Sequence, residues 1–205
     1  MDEKRLIEQV LRGNQEAFGS LVEIYEKQVY NICLRMCGNP EDAKDLAQEA
    51  FVKAWRGLQF YKSEAAFSTW LYRLTSNVCI DFLRQQKRRP TTSLTIQQED
   101  EDDVEFDVPD VQPLPEEQVL HHEVRQEIAA AMEQLEPEFR MILTLRVIEE
   151  QSYDEIAEIM DLKIGTVKSR LARARLKLKK ILLQNGNNFC FDSSNHSERG
   201  MRHGL

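Results

Sequence analysis

Between residues 99 and 110 the chain carries eight carboxylates, Glu99, Asp100, Glu101, Asp102, Asp103, Glu105, Asp107 and Asp110, and no base. A segment this charged and this poor in aliphatic residues cannot offset the entropy lost on ordering it. Pro109, Pro113 and Pro115 punctuate its far end. Residues 91–116 therefore read as a flexible acidic linker, and whatever packs must pack on either side of it. Divided in this way, the 205 residues hold two small domains. Eight Gly and six Pro in the whole chain argue against collagen-like or turn-rich all-β architecture, and the periodicities on both sides are helical.

The amino-terminal unit, residues 13–90, has clear punctuation. Asn14 suits an N-cap, and Phe18, Leu21, Val22, Tyr25, Val29, Ile32, Cys33 and Met36 recur at helical steps until Gly38. Asn39-Pro40 restarts the chain with a capping side chain followed by proline at the first helical position. Ala43, Leu46, Ala47, Ala50, Phe51, Ala54 and Trp55 then mark one face turn by turn, a stripe that must be buried. After a short connection, Phe67-Ser68-Thr69-Trp70 opens a third helix with Leu71, Leu74 and Val78 on its core side. It ends in Arg84, Lys87, Arg88 and Arg89, closed by Pro90. About 75 residues can share one small core.

The second unit, residues 117–184, resumes the pattern with Leu120, Val124, Ile128, Ala131 and Leu135, then Pro137 and the apolar Phe139, Ile142 and Leu143. Ser152-Tyr153-Asp154-Glu155 is a capping box, in which Ser152 accepts a backbone N–H while Glu155 reaches back to the cap. The short helix it opens, the turn Asp161-Leu162-Lys163 and a longer helix beginning near Gly165-Thr166 have helix-turn-helix dimensions. Residues 185–205, rich in Asn, Ser and Gly, read as a disordered tail.

The net charge of −8 discourages nucleic-acid binding until its distribution is considered. Residues 163–180 contain eight bases and no acid, the local field that phosphate attraction requires. On the longer helix Val167, Leu171, Ala174 and Leu178 face inward, and Lys168, Ser169, Ala172 and Arg173 lie outside, where a major groove would meet them. A second basic surface runs along the helix from Ser68 to Arg89, where Arg73, Asn77, Arg84 and Arg88 share a side with Trp70 and Tyr72, and Tyr61 precedes them. Aromatic planes beside bases suit unpaired strands, although the same rings at helical spacing also suit a core. A third surface, Asp45, Gln48, Glu49 and Val52, projects opposite the apolar stripe of its helix. It suits a partner helix or an ordinary solvated face.

Other classes find less support. No 7–15-residue apolar stretch follows the charged amino terminus and no run approaches a membrane span, so a cytoplasmic protein without membrane insertion is expected. The four cysteines form no CxxC. Cys33 and Cys37 stand one helical turn apart, but Cys33 belongs to the apolar stripe, and no His stands at ligand spacing. No P-loop or nucleophile constellation is present, so no enzyme, cofactor or metal is expected.

The motifs Asp45-Leu46-Ala47-Gln48-Glu49-Ala50-Phe51-Val52-Lys53-Ala54-Trp55, Phe67-Ser68-Thr69-Trp70-Leu71-Tyr72-Arg73-Leu74 with Asn77 and Asp81, Ser152-Tyr153-Asp154-Glu155-Ile156-Ala157 and Gly165-Thr166-Val167-Lys168-Ser169-Arg170 stand in order on both sides of the linker. Over residues 13–183 they closely resemble the extracytoplasmic-function (ECF, group 4) bacterial sigma factors of the sigma-70 family. The resemblance implies an all-α pair of domains, region 2 and a helix-turn-helix region 4, that binds the β and β′ subunits of core RNA polymerase and directs it to promoters. Asp45, Gln48, Glu49 and Val52 match the polymerase-binding positions. Tyr61, Arg73 and Asn77 match the surface that opens the −10 element and holds an unpaired base, with Trp70, Arg84 and Arg88 beside it. Lys168, Ser169 and Arg173 match the −35 readers, flanked by Arg170 and Arg175. Ala172 lies where some relatives carry a larger side chain, so the −35 sequence is not transferable from any one member.

The resemblance also implies an anti-sigma factor as a partner and a stress or envelope response. It gives the acidic linker a second use besides tethering, occupation of positively charged polymerase surface that later holds nucleic acid. The competing readings are an autonomous operator-binding regulator, which leaves the Asp45–Val52 stripe without use, and a nucleic-acid enzyme.

Overall fold

The computed structural model describes residues 3–63, 65–88 and 115–184, with side chains left out for 115–123. Among the described residues eight α-helices run in order: α1 (Glu3–Leu11), α2 (Gln15–Cys37), α3 (Pro40–Gly57), α4 (Phe67–Arg88), α5 (Pro115–Glu133), α6 (Pro137–Leu143), α7 (Tyr153–Met160) and α8 (Ile164–Gln184). A 3-10 turn at Leu58–Phe60 follows α3, and a π turn at Thr144–Ile148 follows α6. The architecture is all-helical.

The helix ends lie where local chemistry places them. The Asn14 side chain accepts from the Glu16 and Ala17 N–H groups, and the Asn39 side chain accepts from Glu41 and Asp42, so each supplies orphan donors of the helix it opens. Gly38 ends α2 at φ 76°, a conformation that costs glycine nothing. The capping box at Ser152 forms in both directions. It holds the Glu155 carboxyl below its ordinary value through the Ser152 backbone and hydroxyl. Asp161, at φ 52°, provides the left-handed turn from α7 into α8.

The first core joins α2, α3 and α4 through Leu21, Val29, Ile32, Ala43, Ala50, Ala54, Phe67, Leu71 and Val78, all buried. The small residues on α3 let it approach α2 closely. Cys33 and Cys79 meet inside this core, Sγ to Sγ at 3.6 Å and both free and fully buried. An element unanticipated from sequence, α1, closes the open end by burying Leu6, Ile7 and Val10 against α2. Tyr25 on α2 donates to Glu3 there. The second core gathers Ala131, Leu135, Met141, Ile142, Leu145, Ile156, Ile159, Val167, Leu171 and Ala174.

Three apolar expectations are altered. Ile128 is 39% exposed, while Ala131 on the next turn is fully buried. Trp55 is also 39% exposed, lying edge-on to Phe18 with ring centroids 4.9 Å apart. Leu178 is half-buried, and Ile181 takes the last inward position of α8. The acidic linker and the tail lie outside the described residues.

The two cores are not separate. α4 packs against α6 and α7, and α2 against α5, α6 and the π turn. Arg140, buried on α6, donates to the Met36 carbonyl at the end of α2 and to Met132 and Glu133 at the end of α5. Its neighbour Met141 receives the Ser76 hydroxyl of α4 at 3.4 Å. The turn at Gly38 is close enough to α5 that a Cβ there would lie 2.6 Å from Glu133 Oε1. The linker divides the chain in sequence, yet its two halves share a buried seam.

Candidate promoter and polymerase surfaces

The connection between α3 and α4 is folded by its own aromatic residues. Phe67, 2% exposed, is the anchor. Tyr25, Tyr61 and Trp70 surround it at ring-centroid distances of 5.6, 5.7 and 5.6 Å, and Tyr61 lies 5.3 Å from Trp70. The Tyr61 hydroxyl donates to the Ala65 carbonyl at 2.7 Å, closing the loop on itself. Burial pushes the Tyr61 phenol above its ordinary value, opposed by Ser63, so it remains a neutral donor. The sequence left Tyr61, Trp70 and Tyr72 as either core or stacking platform. Tyr72 is buried in the core at 7% exposure, whereas Tyr61 and Trp70 have both characters, packing against Phe67 and lining a cavity.

That cavity, about 280 Å³, is lined by Phe60, Tyr61, Lys62, Ala65, Thr69, Trp70 and Arg73. Aromatic walls and two cations make a mixed pocket of the kind that accepts a flat polar ring attached to a phosphate. Tyr61, Trp70 and Arg73 are brought together here. Asn77 is exposed one turn farther along α4, and Arg88 is exposed at its end. Arg84 is engaged elsewhere, 3.6 Å from Asp81 and paired with Glu138 of α6. Phe60, 74% exposed at the cavity rim, escaped sequence reasoning because it stands in the short 3-10 turn, outside any helical stripe.

On α3, Asp45, Gln48, Glu49 and Val52 are all exposed on one face, opposite buried Ala43, Ala47, Ala50 and Ala54. Lys53 Nζ holds Glu49 at 2.8 Å. The face is acidic with one apolar contact and is spaced at whole turns.

The helix-turn-helix forms as the sequence indicated, with α8 beginning at Ile164. Lys168, Ala172, Arg173 and Arg175 are exposed. Lys168 Nζ lies 6.0 Å from the Tyr153 ring centroid, and Arg146 stacks over the same ring at 5.0 Å. Ser169 is half-buried and donates to the Thr166 carbonyl at 3.0 Å. Arg170 is also half-buried, turned toward Glu138, whose carboxyl its charge helps to lower. The outer face thus gathers Lys168 and Arg173 and excludes Arg170. Leu176, 69% exposed, continues that face.

Residues 21–89 match the family described as Sigma-70 region 2, and residues 125–178 match Sigma-70, region 4. Over 181 residues the chain is 36% identical to the ECF RNA polymerase sigma factor SigW of Bacillus subtilis (strain 168), covering 87% of this chain and 96% of that protein. The chain belongs to the ECF RNA polymerase sigma factors. The ECF RNA polymerase sigma-E factor of Escherichia coli (strain K12) is 39% identical over 170 residues, or 83% of this chain and 88% of that one.

Among solved structures, CnrH in complex with the cytosolic domain of CnrY superposes with a TM-score of 0.62 at 24% identity, over 90% of this chain and 99% of that one. The sigma factor RpoE in complex with the anti-sigma factor NepR from Bartonella quintana gives 0.59 at 21%, over 81% and 96%. Both likenesses concern the fold. As an ECF sigma factor the chain serves transcription initiation without catalysing a reaction of its own; the region 2 match runs from within α2 to the end of α4, and the region 4 match from within α5 into α8. Among the described residues no helix of the sigma factor is long and apolar enough to cross a membrane, and no group of three or more His, Cys, Asp or Glu is placed to hold a metal.

Proposed function

We propose that the three surfaces divide promoter opening between them. Residues 13–90, with α1 packed on them, act as region 2; residues 91–116 act as linker; residues 117–184 act as region 4. Asp45, Gln48, Glu49 and Val52 dock α3 on a helical element of the polymerase core. Lys168, Ser169 and Arg173 read the −35 duplex from the outer face of α8, and Arg175 follows its phosphates. Tyr61, Trp70 and Arg73 receive an unpaired base of the −10 element, with Phe60 at the rim, while Asn77 and Arg88 line the path of the strand. A cytoplasmic protein working with polymerase in a stress or envelope response, and restrained by an anti-sigma factor, fits this family.

The observation that carries the reading is the cavity between the 3-10 turn and α4. It gathers aromatic faces and Arg73 at a size suited to one base rather than to a duplex. Duplex binding then needs no energy from region 2, and strand opening draws on stacking worth roughly 1–3 kcal/mol per base. The test is run-off transcription with core polymerase on promoters carrying matched and scrambled −10 elements. Arg73→Ala and Trp70→Ala should lose the matched transcript, and Val52→Asp should lose association with core. Full transcription by Arg73→Ala from the matched promoter would remove the base-pocket assignment.

A further inference from the structure

Three side chains from three different elements meet beside the helix-turn-helix. Arg146, from the π turn that follows α6, stacks over the Tyr153 ring at 5.0 Å from its centroid. Lys168, near the start of α8, stands 6.0 Å from the same centroid. Lys168 is exposed, whereas Arg146 and Tyr153 are both half-buried. One ring is thus shared by a cation fixed by the fold and a cation assigned to the −35 duplex.

The ring and its inner cation are both tied to backbone. Tyr153 is the first residue of α7, and the two-way capping box of Ser152 and Glu155 sets its main chain. A guanidinium nitrogen of Arg146 donates to the Gln151 carbonyl at 2.8 Å, and the Gln151 side chain donates to the Glu149 carbonyl at 3.1 Å. The turn closes through the Glu149 N–H on the Thr144 carbonyl at 3.1 Å and the Gln151 N–H on the Leu145 carbonyl at 2.9 Å. A π turn is an uncommon conformation that recurs at functional sites. Here it delivers Arg146 to the first residue of α7.

Lys168 gains from this arrangement in proportion to its own freedom. A lysine carries a strongly hydrated ammonium on a flexible stem, so an exposed one samples many rotamers, and ordering it against a partner costs that freedom. The face of an aromatic ring attracts the ammonium through its quadrupole. At 6.0 Å Lys168 stands near the limit of that attraction, and Arg146 shares the ring. The side chain is therefore narrowed to fewer rotamers without being sequestered, and it leaves for a base edge or a phosphate at little cost.

We propose that Tyr153 is a positioning residue for −35 recognition: its ring, braced by Arg146 and the π turn, holds Lys168 in the orientation that meets the duplex. The proposal deepens the −35 reading and rests on Lys168 as one of its readers. Tyr153 acts through Lys168, by its ring and not by its hydroxyl.

Holoenzyme formed with core polymerase tests it in run-off transcription from promoters with matched and scrambled −35 elements, read as the ratio of the two transcripts. Lys168→Ala should lower the ratio, and Tyr153→Leu should lower it several-fold but no further than Lys168→Ala does. Tyr153→Leu/Lys168→Ala should match Lys168→Ala alone, because nothing is left to position. Tyr153→Phe keeps the ring and should keep the ratio. In carbon–proton correlation spectra of the full chain, the ring should shift the Lys168 ε-methylene protons upfield. That shift should vanish in Tyr153→Leu and persist in Tyr153→Phe.

An unchanged ratio in Tyr153→Leu, a loss there exceeding that of Lys168→Ala, additive losses in the double variant, or equal losses in Tyr153→Phe and Tyr153→Leu overturns the positioning role. So does an ordinary Lys168 signal in the unmutated chain. Each of these leaves Lys168 as a reader. An unchanged ratio in Lys168→Ala instead removes Lys168 from the −35 reading, and the positioning role with it.

Discussion

Replacing Arg140 by methionine keeps most of the side-chain volume and removes every donor. Arg140 is 4% exposed and serves three carbonyls, Met132 at 2.9 Å, Glu133 and Met36. All three sit at helix C-termini. Met132 keeps the Leu135 N–H at 3.1 Å, so removing the guanidinium leaves Met36 and Glu133 without a partner. A buried acceptor left in that state costs roughly 1–3 kcal/mol. The lower end applies here, because helix-end carbonyls regain water once the seam loosens, and two of them come to about 2 kcal/mol.

One term opposes the loss. Burial pulls the Arg140 pKa down, so the native state bears a cost for keeping this charge dry, and methionine relieves it. The net expectation is a loss of about 1–2 kcal/mol, or about 2–8 °C in Tm for a chain of this size. Urea unfolding followed by far-UV circular dichroism measures it. Arg140→Lys should fall between the two, since one ammonium cannot span three divergent carbonyls as a planar fork does. A loss for Arg140→Met below about 0.5 kcal/mol, the range of an ordinary surface change, would refute the view that this guanidinium joins the two helix ends.

Three further outcomes are expected. Ser152→Ala should remove the α7 capping box and cost about 1 kcal/mol in urea unfolding. Arg173→Ala should weaken binding to matched −35 duplex by roughly 1–3 kcal/mol and relax selectivity there, whereas Lys179→Ala should weaken matched and scrambled duplex alike in gel-shift titrations. Glu149 and Glu155 should give opposite pH responses in unfolding curves. Burial raises Glu149 despite Arg35, with Tyr72 also near, so its ionisation costs stability as pH climbs from 4.5 through its raised value. Glu155 is lowered by its capping bonds, so its contribution is present above 4.5 and is lost as pH falls through its depressed value. Glu149→Gln should abolish the first slope and leave the second.

Local rules carry far in this chain because most of its elements are set locally. Asn14, Gly38, Asn39-Pro40 and Ser152 through Glu155 announce helix ends through hydrogen bonds spanning two to four residues, and the structure places those ends there. The inward faces of α3 and α8 follow from period alone. What escaped has the opposite character. Phe60 acquires its place from a 3-10 turn, and α1 is held by tertiary burial of three side chains.

The π turn after α6 likewise leaves no periodic trace. Arg140 gave no signal at all, because an arginine among apolar residues looks like any surface arginine until its three acceptors are known, and two come from the end of α5 and one from α2. Contacts across the linker join residues 54 to 104 positions apart, a separation over which patterning carries no information.

The same chemistry explains how Arg73 can meet a helix end in this structure and a strand under the proposed function. A helix C-terminus and a nucleic-acid strand both offer oxygen acceptors bearing negative charge, and the guanidinium fork fits either. They differ in number of acceptors. On α7, Arg73 directs two donors at a single carbonyl oxygen, whereas a phosphate or a base edge presents two acceptors and permits parallel bonds. An exchange from helix end to strand therefore keeps both donors bonded and gives each an acceptor of its own.

Arg140 is placed differently. Three of its five N–H donors are committed to carbonyls at the ends of α2 and α5, and only 4% of the residue meets solvent. Withdrawing Arg73 frees one carbonyl, on the exposed Glu158, whereas withdrawing Arg140 unpairs helix ends on both sides of the linker. The seam therefore combines one guanidinium that can leave at small cost with one that ties α2 to α5.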